Sequence, residues 1–244
     1  FLRAAALQPD AVDTQRNLGL AYVHAGRITE AEECYRRGTT VAPSNASMHF
    51  ELAQFLRTRK RYDDAVKCYQ EAVRLQPNHA DAYYSLGLCY GDMKRSDDAL
   101  SAYEAALRAR PDFPEVHNNL GVLYEERGNL EKAKQSYQAA LAKRPEWPEA
   151  LNNYGVVLAA DLNFVEAERQ YRLALKVAPN SPSVLNNLGN ALRSQGKLDE
   201  SVAVLRKSLE LKPHYSEAYN NLGITLMNKG LPDEAIAHYN QALY

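Results

Sequence analysis

The sequence predicts an all-α fold, a right-handed α-solenoid of helix–turn–helix repeats, and two ladders of residues predict it. Pro9, Pro43, Pro77, Pro111, Pro145, Pro179 and Pro213 stand 34 residues apart, and Pro114, Pro148 and Pro182 keep the same spacing, so ten of the eleven prolines are periodic. Gly19, Gly87, Gly121, Gly155, Gly189 and Gly223 share the period, with Ala53 on the vacant rung. A fixed period of this length marks repeats that each bury an apolar face on their neighbours.

With Val12 as position 1, the repeats are 12–45, 46–79, 80–113, 114–147, 148–181 and 182–215, followed by a partial repeat at 216–244 and preceded at 1–11 by the end of an earlier helix. Each reads as two helices. In the fourth, Asn118–Glu126 begins N-N-L-G-V-L-Y-E-E, Gly128 breaks the pattern, and an amphipathic run from Glu131 to Lys143 stops before Pro145. Proline at position 1 suits a helix start, where its missing N–H would be unpaired anyway. Acids such as Asp63, Asp64, Asp97, Asp98, Asp199 and Glu200 crowd the first turn of the second helix, where they favour the positive end of its dipole.

That second helix carries alanine at position 20 (Ala31, Ala65, Ala99, Ala133, Ala167, Ala235, with Ser201 in the sixth repeat). Position 24 is Tyr35, Tyr69, Tyr103, Tyr137, Tyr171 and Tyr239, with Leu205 substituting once. Small beside large lets one helix wedge against the next pair. Together with Leu-Gly at positions 7 and 8 and proline at 32, these residues resemble the tetratricopeptide repeat along the whole chain. The resemblance implies a protein-binding superhelix whose first helices line the inner groove.

Bulk properties narrow the function. Of 244 residues, 45% are hydrophobic and 24% charged, enough for a packed core and a solvated surface. A formal charge of -1 gives no global field toward nucleic acid or an anionic membrane. The tyrosines sit at repeat core positions and do not alternate with basic stripes, so nucleic acid is not an expected partner. Cys34, Cys68 and Cys89 lack disulfide or zinc spacing, which favours a reducing compartment, cytoplasmic or nuclear. No apolar run is long enough to span a membrane, and Phe1 to Leu7 does not read as a signal peptide.

No catalytic residue, metal ligand set or cofactor site is expected. His24, His49, His79, His117, His214 and His238 fall in no ligand cluster, and His49 and His117, at position 4, read as packing residues. Neither a phosphate loop nor a nucleophile elbow occurs.

The function should therefore lie on the stripe formed by positions 2, 5, 6, 9, 12 and 13 of the first helix. Asparagine recurs at position 6 (Asn17, Asn119, Asn153, Asn187, Asn221) and position 5 (Asn118, Asn152, Asn186, Asn220), with Asn190 at position 9. Asparagine is a poor helix former. Its amide both donates and accepts, which matches the backbone of an extended peptide of any sequence. The alternative is that these amides satisfy neighbouring helices. The Asn-bearing segments NNLGVLY (Asn118–Tyr124) and LNNYGVV (Leu151–Val157) resemble repeats of O-linked N-acetylglucosamine transferase and SPINDLY-type glycosyltransferases. That resemblance implies a groove that holds protein substrates for a transferase domain. Glu51 and Ser85 interrupt the ladder. A carboxylate clamp is not expected, because Leu20, Glu51, Asp81 and Ser85 occupy positions that would need Asn, Lys or Arg.

The stripe is also expected to be polarised. Arg16, His24 and Arg57 lie toward its start, whereas Asp92 and Glu126, at position 13 where the helix dipole disfavours acids, mark an acidic middle for a basic stretch of a partner. The expected partner is a protein or peptide. The competing reading is a structural scaffold that uses its convex face, where pairing of two copies is also left open.

Overall fold

A computed structural model describes residues 12–243, which form helices and no strands among the described residues. The proposed helical end at 1–11 lies outside the described residues. The helices run in pairs: α1 (Val12–His24) with α2 (Ile28–Val41), α3 (Ala46–Thr58) with α4 (Tyr62–Leu75), α5 (Ala80–Asp92) with α6 (Ser96–Ala109), and α7 (Pro114–Glu126) with α8 (Leu130–Lys143). Then follow α9 (Pro148–Ala160) with α10 (Phe164–Val177), α11 (Pro182–Ser194) with α12 (Leu198–Leu211), and α13 (Ser216–Asn228) with α14 (Pro232–Ala242). This is the all-α tetratricopeptide solenoid that the sequence predicts. The chain divides into two compact units, Phe1–Val116 and His117–Tyr244.

Local chemistry sets the helix ends. The Asn129 and Asn163 carbonyls accept from the backbone N–H groups of Lys132 at 3.1 Å and Glu166 at 3.3 Å, and Asn45 caps α3 in the same way through Met48. Proline stands in the first turn of α9, α11 and α14. The link inside each pair reverses through one left-handed residue, closed in the fifth pair by the Asn163 N–H donating to the Leu158 carbonyl at 2.8 Å. Glycine takes this position at Gly26, Gly128, Gly196 and Gly230, but Lys60, Lys94 and Leu162 also adopt positive φ. Leu162, at φ 59° and 75% exposed, holds a strained backbone and contributes little packing. Leu162→Gly is therefore expected to stabilise the chain by about 0.5–1 kcal/mol, seen as a higher denaturant midpoint with an unchanged slope.

Packing inside each pair follows the small–large ladder. A Cβ added to Gly121 would lie 2.5 Å from the Tyr137 ring, and one added to Gly155 equally close to Tyr171, so only glycine admits these rings. In the sixth pair Leu205 covers Gly189 instead, and buried Ser201 at the alanine position donates to the Gly189 carbonyl at 2.8 Å and lies 3.2 Å from Thr225 Oγ1. The two departures from the ladder thus occur together, and the hydroxyl that replaces a methyl is fully satisfied. In both units the first helices of successive pairs pack directly on one another, α1 on α3 and α3 on α5, and α9 on α11 and α11 on α13. The first helices therefore lie on the tight, inner side of each unit, and their outward stripe is the groove face.

Candidate functional site

On the groove face of the second unit, α9 and α11 border a pocket of about 180 Å³. Val156, Ala159, Phe164 and Tyr171 supply apolar walls, and Asn187 and Asn190 the polar edge. One N–H of Asn187 goes to the Asn152 carbonyl at 3.0 Å, which leaves its own carbonyl and a second N–H available. Asn190 Oδ1 is buried with no hydrogen-bond partner. An acceptor in that state is a costly feature of a fold unless a ligand donor meets it.

The next rung has a different role. Asn221 is only 7% exposed, and its Nδ2 donates to Asn186 Oδ1 at 2.8 Å, while Asn186 Nδ2 donates to Glu217 at 2.9 Å. Two rungs thus use the same bond, from position 6 to position 5 of the preceding pair. The helix-breaking tendency of these asparagines is compensated inside the fold, contrary to the premise that made all of them ligands. Asn118, which stands where another such rung would close, is 2% exposed, and its Oδ1 has no partner. Asn119 and Asn153 are half-buried on α7 and α9.

Asn17 lies in the first unit, on a pocket between α1 and α3 together with Arg16, Leu20, Phe50 and Glu51. The basic groups of the expected polarity meet acids within the first unit. Arg57 meets Asp92 at 3.5 Å, and Arg16 lies 3.2 Å from Asp13 and 3.9 Å from Glu51, so basic groups at the start of the stripe already answer acids of the same unit. Glu126 is exposed at the end of α7. Beside it Glu125 accepts from the Tyr137 hydroxyl at 3.1 Å, and burial, with Glu126 adding to it, raises the Glu125 carboxyl above its ordinary range. Asp92 belongs to the first unit and Glu126 to the second.

Among the described residues no three His, Cys, Asp or Glu side chains gather as a metal site. The cysteines are free, and burial raises the thiols of Cys34 and Cys68, and Cys89 to about 11, which makes them poor nucleophiles. His49 Nε2 is 3.0 Å from the Pro43 carbonyl, a packing residue with one satisfied nitrogen. No helix among the described residues is long and apolar enough to cross a membrane.

The inter-rung bonds are the alternative weighed from the sequence, in which these amides satisfy neighbouring helices, and their signal was present. Adjacent asparagines that recur once per repeat place a donor and an acceptor 35 residues apart, as in Asn152–Asn187 and Asn186–Asn221.

Comparison with known proteins agrees with the fold. The solved structure of YrrB, described as a TPR protein with an unusual peptide-binding site, is 22% identical over 82% of this chain and all of its own, with a TM-score of 0.69. The pilF protein of Pseudomonas aeruginosa is 21% identical over 85% of this chain and 94% of its own, at a TM-score of 0.73. The Cut9–Hcn1 structure of the APC/C is 19% identical and covers 98% of this chain but 47% of its own, at 0.68. No curated protein sequence matches the chain. A tetratricopeptide-repeat profile matches residues 1–45. The chain belongs to the family of the cilia and flagella-associated protein 70 C-terminal domain, whose profile matches residues 36–244.

Proposed function

We propose that the chain is a non-catalytic recognition module that holds an extended polypeptide along its groove face, with Asn187 and Asn190 gripping the peptide main chain. The observation that supports this most is the pocket between α9 and α11, where Asn190 presents a buried acceptor without a partner and Asn187 keeps half of its amide available. Asn119 and Asn153 extend that contact on α7 and α9 of the same unit, Asn17 is assigned to a separate contact on the first unit, and Asn221 supports the asparagine site by fixing α13 on α11. Asp92 and Glu126 are assigned as acidic contacts of the first and of the second unit, respectively. YrrB carries a peptide-binding site by its own description, which is consistent with this use of the fold. The family name directs the search for the partner to proteins of cilia and flagella. Delivery of the polypeptide to a glycosyltransferase domain is the narrower reading; it rests on the repeated asparagine pair, and neither the family nor the solved neighbours adds to it.

The test is selection of a randomised dodecapeptide library on the wild-type chain, followed by titration of the selected peptides against Asn187→Ala/Asn190→Ala. At about 0.5–1.5 kcal/mol per hydrogen bond, loss of both amides is expected to weaken binding by about 5- to 100-fold. The far-ultraviolet helical signal should not change. Undiminished affinity in the double variant would overturn the assignment.

A second reading, a scaffold that docks through second helices, is favoured by Val165 and Leu173 on α10, which are 70% and 39% exposed. Retained assembly by the double asparagine variant together with loss of assembly by Val165→Ser/Leu173→Ser would select it.

A further inference from the structure

The first unit carries its own pocket on the groove face, of about 480 Å³, between α1 and α3. Its walls are mixed, with Asn17, Gln54 and Thr58 among the polar members. Leu20, Val23, Phe50 and Phe55 line it, and Leu20 is 51% exposed at a position where the other asparagine-bearing pairs have Val122, Val156, Asn190 and Ile224. Glu51 stands within this lining as a half-buried carboxylate, and burial raises it above the ordinary carboxylate range despite Arg16. Among the described residues the cation that meets it is Arg16, which is shared, 3.9 Å from Glu51 and 3.2 Å from Asp13. Arg57, further along α3, is engaged by Asp92. One guanidinium therefore serves two carboxylates, and the pocket keeps an unbalanced negative charge beside apolar and aromatic surface.

A ligand that satisfies both features needs an apolar stem and a cationic tip. Between the two side chains of that kind, arginine fits better: its weakly hydrated, planar head stacks on aromatic rings and pairs with a carboxylate through parallel N–H groups. The chain itself places guanidinium groups over rings repeatedly, as with Arg110 on Phe113 at 4.4 Å and Arg144 on Trp147 at 4.3 Å.

We propose that the α1–α3 pocket receives an arginine side chain of the bound polypeptide, with its methylenes on Leu20 and Val23, its head against Phe50 and its N–H groups on Glu51. This rests on the groove reading given above and names one residue of the partner. The pocket also explains why position 6 is glutamate in this pair. An asparagine there would answer the peptide backbone, whereas Glu51 answers a charge.

The probes are two acetylated, amidated undecapeptides of alternating alanine and serine, one with a central arginine and the other with citrulline, which has the same shape without the charge. Each is titrated into the isotopically labelled full chain, and backbone amide shifts are followed residue by residue. The arginine peptide should shift amides of α1 and α3 and bind there about tenfold more tightly than the citrulline peptide. Glu51→Gln should remove that preference by weakening the arginine peptide more than the citrulline peptide. Equal affinities in the wild type, a preference that survives Glu51→Gln, or no shifts in α1 and α3 would each overturn the proposal. Amides of α9 and α11 report separately on the asparagine site, so either reading can fail while the other stands.

Discussion

Tyr137→Ala is expected to destabilise the chain by about 3–5 kcal/mol, the usual range for emptying a buried aromatic site. The ring is fully buried, lies against Gly121 and packs in a cluster with Leu151, Tyr154 and Tyr171 from the following pair. A solenoid has no other core to relax into: each pair contacts only its neighbours, so the cavity removes an interface as well as a side chain. The loss also frees Glu125 from the hydroxyl it accepts, in a place where burial already disfavours its charge. Tyr239→Ala tests the same geometry where the ring is only half-buried, against Gly223. It should cost clearly less. Urea denaturation of both variants decides the point, and equal losses would contradict a stability built from nearest-neighbour terms.

The parts of this molecule that could be read from the sequence are those that repeat. Gly121 and Tyr137 are informative because the same pair recurs at Gly87 and Tyr103, Gly155 and Tyr171, and Gly223 and Tyr239, and in each case the ring occupies the space a Cβ would fill. Helix starts at Pro114, Pro148 and Pro182 were legible for the same reason. The site was less so, since a period says which residues share a face but not which of them already bond each other. Asn221 and Asn187 look equivalent at position 6, yet one is buried in a bond to Asn186 and the other keeps half of its amide. Charge was similarly incomplete: Arg57 reads as part of the basic start and Asp92 as part of the acidic middle, and the rise of one pair brings them within 3.5 Å. Glu51 interrupts the asparagine ladder in the sequence, and only the pocket beside it gives the interruption a purpose.

The other large effect concerns Glu168, which the sequence did not single out. Its side chain is 12% exposed and accepts from Lys197 at 2.7 Å, Arg172 at 2.8 Å and Gln195 at 2.8 Å, so one carboxylate ties α10 to both ends of the α11–α12 link. Burial by itself would push this carboxyl upward; the Lys197, Arg172 and Gln195 donors outweigh it and hold the group at about 2. A carboxyl lowered by folding adds stability that is complete above its unfolded pKa, near 4.5, and is lost as the pH falls through that value toward about 2. Arg172 and Lys197 are nearly half exposed, and screening at those ends brings the contribution to about 2–3 kcal/mol, below full conversion of the shift. Glu168→Gln should therefore destabilise the chain by about that amount at pH 7, with the deficit shrinking steadily below pH 4.5 and nearly gone at pH 2. Urea midpoints of wild type and variant at several pH values measure the difference directly. A deficit that stays constant down to pH 2 would mean that Glu168 acts through its shape and neutral hydrogen bonds, and that the buried ion pairs contribute nothing.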